Sequence, residues 1–306
     1  MIAYERSTTS RTHRFNVDIA SAASFEYAGP VRQIEASSND GVLRIEGRYE
    51  YRRSLLRDRF VRGLASCNHV LGPSRVDANW HVVESKHFSL HARPGTFADQ
   101  SAATLGEVLV DQYEVTQRVL DGHFSGRISG FLYDNADDAN LEGEHSGTAF
   151  PDTAAFKATA TPPLDANLFA LVAHESNHVV IGSALGRAGT HFVNEGLPSA
   201  VISERFHPLG PHFYYQWTKA HRGRLLPLTT VIDDNKWPNL EQSTAYSEAA
   251  SFLAYVLQTY GPVKLRQVYY AQSSEFAARF AAVYGTSLAE AEAAWLAFCE
   301  TEGAAS

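Results

Sequence analysis

The chain has 306 residues, 44% hydrophobic and 20% charged, which excludes a disordered or fibrous protein and suffices for a core without covalent staples. Its 34 acidic and 26 basic residues leave a formal charge of −8, so electrostatics gives no reason to expect nucleic acid or a membrane surface as partner. Two distant cysteines, Cys67 and Cys299, make no disulfide framework, and the hydroxyl-rich opening lacks the apolar run of a secretory leader; a soluble, reducing, cytoplasmic setting is expected.

Residues 1–75 read as a small β-rich region of unassigned role, and residues 76–306 as a larger domain. The boundary falls in the segment Asn68 to Asn79, which contains Gly72 and Pro73. Phe15 to Tyr27 and Gly41 to Tyr51 show partial period-two alternation, separated by the turn-rich Ser37-Ser38-Asn39-Asp40-Gly41. In residues 52–65, Leu55, Leu56, Phe60, Val61 and Leu64 recur at helical spacing, with arginines on the other, solvated face.

His81 to Ala92 reads as a strand, Ala98 to Val119 as an amphipathic helix, and Arg127 to Asn135 as a buried strand. Ser146 to Ala158 fits one or two short strands around Pro151. Asp165 is a plausible N-cap for a helix to Leu185 that stops at Gly186; its histidines and glutamate exclude a membrane span. A further helix is expected from about Ala245 to Tyr260, ending at Gly261-Pro262. Ser287 and Glu290 form a capping box opening the last helix, which contains Trp295. Strands first and helices afterwards indicate an α+β fold.

The informative stretch runs from Leu171 to Val201. His174 and His178 are four apart on a helix, so both imidazoles project from one face, with Glu175 beside them. This His-Glu-x-x-His arrangement offers a metal two nitrogen ligands and sets a carboxylate next to the water that the metal activates. Two histidines and a glutamate among Leu168, Phe169, Val172, Val179 and Ile181 would be costly to bury without such a partner. A tetrahedral catalytic zinc needs a third protein ligand. Glu195 follows after sixteen intervening residues, and Gly182, Gly186 and Gly189 allow the chain to turn back and return it. His191 is the alternative ligand, although it precedes the expected return helix.

His174-Glu175-Ser176-Asn177-His178 followed by Asn194-Glu195-Gly196 resembles the gluzincin metallopeptidases, the group of thermolysin and the alanyl-type aminopeptidases, and especially their compact peptidase MA-like relatives. Ala245 to Tyr270 looks like the downstream helix of that family, and the closing Gly285 to Phe298 like its final helix. The similarity covers about Trp80 to Cys299. It implies a zincin-like domain, a small mixed sheet followed by a helical subdomain, holding one Zn²⁺ per chain on His174, His178 and Glu195.

The same resemblance implies Glu175 as general base and Tyr246, which opens the downstream helix, as donor to the oxyanion. Tyr214, Tyr215, His207 and His212 are rivals for that role. It also implies a substrate backbone laid along an edge strand, at Gly147-Thr148-Ala149. The aminopeptidases' acidic Gly-x-Met-Glu-Asn stretch is missing there, with Glu142 or Glu144 as substitutes. Asn194 is expected to orient a ligand from behind; Ser199 and Glu204 are further supports, and Pro198 is expected near its helix's start. The expected function is hydrolysis of peptide or small amide substrates by a zinc metallopeptidase. The alternatives are zinc-dependent hydrolysis or rearrangement of a non-peptide amide, ester or epoxide, and a non-catalytic scaffold with a vestigial zincin fold. Oligomeric state is left open.

Overall fold

The structure, a computed structural model, describes residues 80–302 except 122–123, 140, 142–145 and 205–209, and the backbone of four strands before them. The chain divides into two units, Met1–Asn79 and Trp80–Ser306. In the first, β1 (Ala3–Arg6), β2 (Thr12–Asp18), β3 (Gln33–Asn39) and β4 (Val42–Arg48) form an antiparallel sheet in the order β1-β2-β4-β3. Ser37, Ser38 and Asn39, expected in a turn, instead end β3 opposite Arg44, Leu43 and Val42. Ladder pairing overrides their weak strand preference, and only Asp40-Gly41 separates the strands, a spacing that suits a hairpin. The helix expected over residues 52–65 and Cys67 lie outside the described residues.

In the second unit, residues 81–92 form two strands rather than the expected one: β5 (His81–Glu84) and β6 (Phe88–Ala92). The Ser85 amide donates to the Phe88 carbonyl at 2.8 Å and turns the chain between them. There follow α1 (Phe97–Leu120), β7 (Ile128–Tyr133), α2 (Ala136–Ala139), β8 (Gly147–Phe150) and β9 (Ala155–Thr159). The sheet order is β5-β6-β7-β9-β8; β6, β7 and β9 run parallel, and the two outer strands run antiparallel to their neighbours. The sheet is therefore mixed, and β8 is an edge.

The next helix, α3 (Ala166–Leu185), packs with α1 on one sheet face. There Leu105, Leu109, Val172 and Val180 meet Phe88, Leu90, Ile128 and Phe156, each buried side chain contributing about 1.5–3 kcal/mol. Trp80, Phe131, Tyr133 and Phe150 cluster on the opposite face. The remaining helices are α4 (His191–Ala200), α5 (Pro211–Ala220), α6 (Leu228–Val231), α7 (Gln242–Tyr260), α8 (Pro262–Tyr269), α9 (Ser273–Tyr284) and α10 (Leu288–Glu302). They surround a second core of Phe192, Phe252, Phe276, Phe280 and Trp295, in which Phe252 and Trp295 meet edge to face at 5.6 Å. The fold is α+β and chiefly helical after β9. Among the described residues no helix is long and apolar enough to cross a membrane.

Capping explains where two helices begin. The Glu241 carboxylate accepts from the amides of Ser243 and Thr244, at 3.1 and 2.7 Å, so α7 starts three residues before the expected Ala245. The Thr190 hydroxyl accepts from Val193 N at 3.2 Å and starts α4 at His191. His191 thus belongs to the helix it was expected to precede. Pro198 falls in the last turn of α4 rather than near its start, and its carbonyl accepts from Asn177 Nδ2 at 2.8 Å.

Candidate metal centre

The α3 helix is defined at both ends as its sequence suggests. Asp165 Oδ1 accepts from Asn167 N and Leu168 N at 3.0 and 3.1 Å, and Gly186 adopts φ 76° at the C-terminus. Burial of Leu168, Val172, Val179 and Val180 fixes its rotation and leaves His174 and His178 on the side met by α4. Polar crosslinks then fix α3 against α1 and α4. Gln112 Nε2 donates to Thr116 Oγ1, Asn177 Oδ1 and the Val201 carbonyl at 2.8, 3.2 and 2.9 Å, and Ser203 N donates to Gln112 Oε1 at 2.8 Å. Gln112, Thr116 and Asn177 are fully buried, where unmet hydrogen bonds cost most.

Three electron-pair donors converge. His174 Nε2 lies 2.9 Å from His178 Nε2 and 3.5 Å from Glu195 Oε2, and the last two atoms are 3.2 Å apart. A tetrahedral ion with bonds of about 2.0–2.1 Å holds its ligand atoms about 3.3 Å apart, so this triangle has the size such an ion needs. Among the described residues, this is the one group of three or more His, Cys, Asp or Glu side chains able to hold a metal ion. Burial pushes the Glu195 carboxyl up, but the charges and hydrogen bonds of His178 and His174 outweigh it and hold it well below the ordinary range. Asn194 Nδ2 donates to Glu195 Oε1 at 2.7 Å, which turns Oε2 toward the histidines. His174 Nδ1 lies 2.9 Å from Ser199 Oγ.

Glu175 is buried, and that burial pushes its carboxyl up to about 8; His174 pulls it down and Glu195 pushes it further up. It sits directly beneath the edge strand. A Cβ on Gly147 would fall 2.5 Å from Glu175 Oε1 and 2.6 Å from its Cγ, so the close approach of β8 requires glycine there. Thr148 and Ala149 continue the same edge.

Helix α7 reaches the centre through a second close approach. A Cβ on Gly196 would lie 2.7 Å from Ala249 Cβ and 2.8 Å from the Ala249 carbonyl carbon, so α4 and α7 touch backbone to backbone beside Glu195. This brings Tyr246 against the site: its ring lies 6.2 Å from that of His174. Burial foremost, then the charge of Glu195, holds the Tyr246 phenol above its ordinary range and keeps it protonated.

Other residues singled out in the sequence lie elsewhere. His191 Nδ1 is 3.1 Å from Asp234 Oδ1, and His191 is outside the ligand triangle. Tyr215 is buried, with its hydroxyl on Gln258 at 3.1 Å, and His212 faces Glu204 at 3.6 Å. Tyr214 packs edge-on against Phe213 at 5.2 Å. Glu142, Glu144 and His207 lie outside the described residues. Gln112, Thr116 and Asp234 carry no local signal for this role, because the contacts that tie them to the site, Asn177 for the first two and His191 for the third, lie in distant parts of the chain. No protein-family model and no curated protein sequence matches the chain.

Proposed function

We propose that the protein is a zinc-dependent hydrolase of peptide bonds, with one Zn²⁺ per chain on His174, His178 and Glu195. The observation that carries this reading is the triangle of His174 Nε2, His178 Nε2 and Glu195 Oε2, with edges of 2.9, 3.5 and 3.2 Å, beside a buried carboxylate under a sheet edge. Two imidazoles and a carboxylate are a zinc donor set that leaves a fourth position for solvent. Bound there, zinc supplies Lewis acidity toward a water molecule and a substrate carbonyl.

The protein groups do the rest. Glu175, in its ionised form, accepts the proton of the attacking water and passes it to the leaving amine. Tyr246, kept protonated by burial, donates a hydrogen bond to the oxyanion as charge develops. Edge strand β8 supports an extended substrate. Thr159 N donates to Ser146 O at 2.7 Å, and hydrogen-bonded pairs alternate in an antiparallel ladder; Gly147 and Ala149 therefore turn their own amides and carbonyls outward. These are the groups that pair with an added peptide strand. Gly147 aligns that strand with Glu175, which favours short, extended peptides over a compact non-peptide amide, ester or epoxide.

The test is zinc content and hydrolysis of a mixture of short peptides by wild type, His178→Ala, Glu195→Ala and Glu175→Gln. About one zinc per wild-type chain, lost from the two ligand variants and retained in an inactive Glu175→Gln protein, is expected. Zinc retained by Glu195→Ala overturns the ligand set, and full activity of Glu175→Gln overturns the mechanism.

A further inference from the structure

Tyr246 is partly buried and lies in the second turn of α7, and side chains on a helix lean toward its N-terminus. The ring is thereby directed toward the segment that precedes α7, and the aromatic residue it meets there is Trp237. The two ring centroids are 5.7 Å apart with planes inclined at 45°, within the range of an aromatic pair. Trp237 is buried, and its indole also stacks on the His191 ring at 6.2 Å and 20°. One indole thus packs against the first residue of α4, the helix that carries Glu195, and against the tyrosine of α7.

The backbone around Trp237 is fixed on both sides. Before it, Trp237 N donates to the Asp233 carbonyl at 3.0 Å, while Asp234 Oδ1 accepts from His191 N at 2.9 Å and lies 3.1 Å from His191 Nδ1. The His191 amide is one of those that a helix leaves without an internal partner, and the helix dipole favours a carboxylate there. After it, the Trp237 carbonyl accepts from Leu240 N at 3.2 Å and from Nε2 of Gln242, the first residue of α7, at 3.3 Å. We infer that Trp237 is a positioning residue: anchored to the start of α4 through Asp234, its indole fixes the ring of Tyr246 and keeps the phenol directed at the ligand triangle. Without that wall a partly exposed tyrosine has rotamers that leave the centre. Trp237 acts through Tyr246 rather than on substrate, and the inference rests on the reading of Tyr246 as donor to the oxyanion.

The experiment has two readouts. The first is steady-state hydrolysis of a short peptide by wild type, Trp237→Leu, Trp237→Phe, Tyr246→Phe, and Trp237→Leu with Tyr246→Phe. Tyr246→Phe is expected to lower kcat about 100-fold, and Trp237→Leu about 10-fold with KM and zinc content unchanged. Trp237→Phe, which keeps a ring, should stay within about 3-fold of wild type. In the Tyr246→Phe background Trp237→Leu should have no further effect, because the indole acts through the phenol. The second readout needs neither zinc nor turnover: the ¹⁹F spectrum of metal-free protein carrying 3-fluorotyrosine in place of Tyr246. One narrow line is expected with Trp237 present, and a broadened or split line in Trp237→Leu.

An equal loss of kcat from Trp237→Leu with and without the Tyr246 phenol, or an equally narrow ¹⁹F line after the indole is removed, overturns the inference and leaves the zinc hydrolase reading standing. Absence of zinc and of hydrolysis in the wild type overturns both. Asp234 is only partly buried, so Asp234→Ala loosens the anchor without emptying the core and carries the same two measurements where Trp237→Leu does not fold. It should lower kcat about 3-fold, only when Tyr246 is present, and broaden the ¹⁹F line. Wild-type kcat and line width in Asp234→Ala overturn the inference as well.

Discussion

Glu248 lies on α7 with no exposed surface. Its Oε1 accepts from Leu226 N at 2.8 Å, while Oε2 is buried with no hydrogen-bond partner. Burial, with Glu292 adding to it and the Leu226 amide opposing it, pushes the carboxyl from 4.5 up to about 7. Because the folded-state value lies above the unfolded one, the folded protein binds the proton more tightly. The associated stability is fully present below about pH 4.5 and is lost as pH rises through about 7. A shift from 4.5 to about 7 corresponds to about 3 kcal/mol. Glu248→Gln keeps the acceptor for Leu226 N and removes the charge. The variant should match wild type within about 1 kcal/mol near pH 5 and exceed it by about 2–3 kcal/mol near pH 8. In a domain of this size that gain is about 2–4 °C per kcal/mol in melting temperature. Urea denaturation of both proteins at several pH values, with a chelator present throughout, measures the difference. A gap that does not change with pH would show that Glu248 is not the buried acid described here.

Two further predictions concern the close approaches around the centre. Gly147→Ala places a methyl 2.5 Å from Glu175 Oε1, so zinc stoichiometry should be unchanged while kcat/KM on a peptide substrate falls about 100-fold; wild-type turnover would show that β8 yields freely. Gly196→Ala must push α7 from α4 at Ala249 and should cost about 1–3 kcal/mol in denaturant unfolding, with weaker zinc binding because Glu195 is its chain neighbour; an unaltered midpoint would contradict the tight crossing.

The parts legible in sequence were those written in neighbouring residues. Asp165, the apolar spacing after it and Gly186 define α3 locally, and Ser287 with Glu290 opens the last helix through reciprocal bonds of 3.2 and 2.8 Å. The spacing of His174 and His178 states their common face, and glycines before Glu195 permit its return. Whether residues 81–92 made one strand or two depended on a turn at Ser85 to Phe88 that lacks glycine and proline. The start of α7 was missed because a glutamate caps it in place of the usual Ser, Thr, Asp or Asn. The role of Gln112 could not be read locally: its partners Asn177, Val201 and Ser203 lie 65, 89 and 91 residues away. Nothing near Gly147 announces that its missing side chain makes room for Glu175.

The buried amide at Gln112 also bears on how an ion would come and go. Gln112 and Asn177 tie α1, α3 and the end of α4 together through protein groups alone, so the helices that carry the three candidate ligands are braced by bonds independent of any ion. An ion bound by the triangle would add its binding energy to a frame that already has a hydrophobic core, unlike in small domains that unfold when stripped by a chelator. Exchange of one such ion for another of similar size would leave those crosslinks intact.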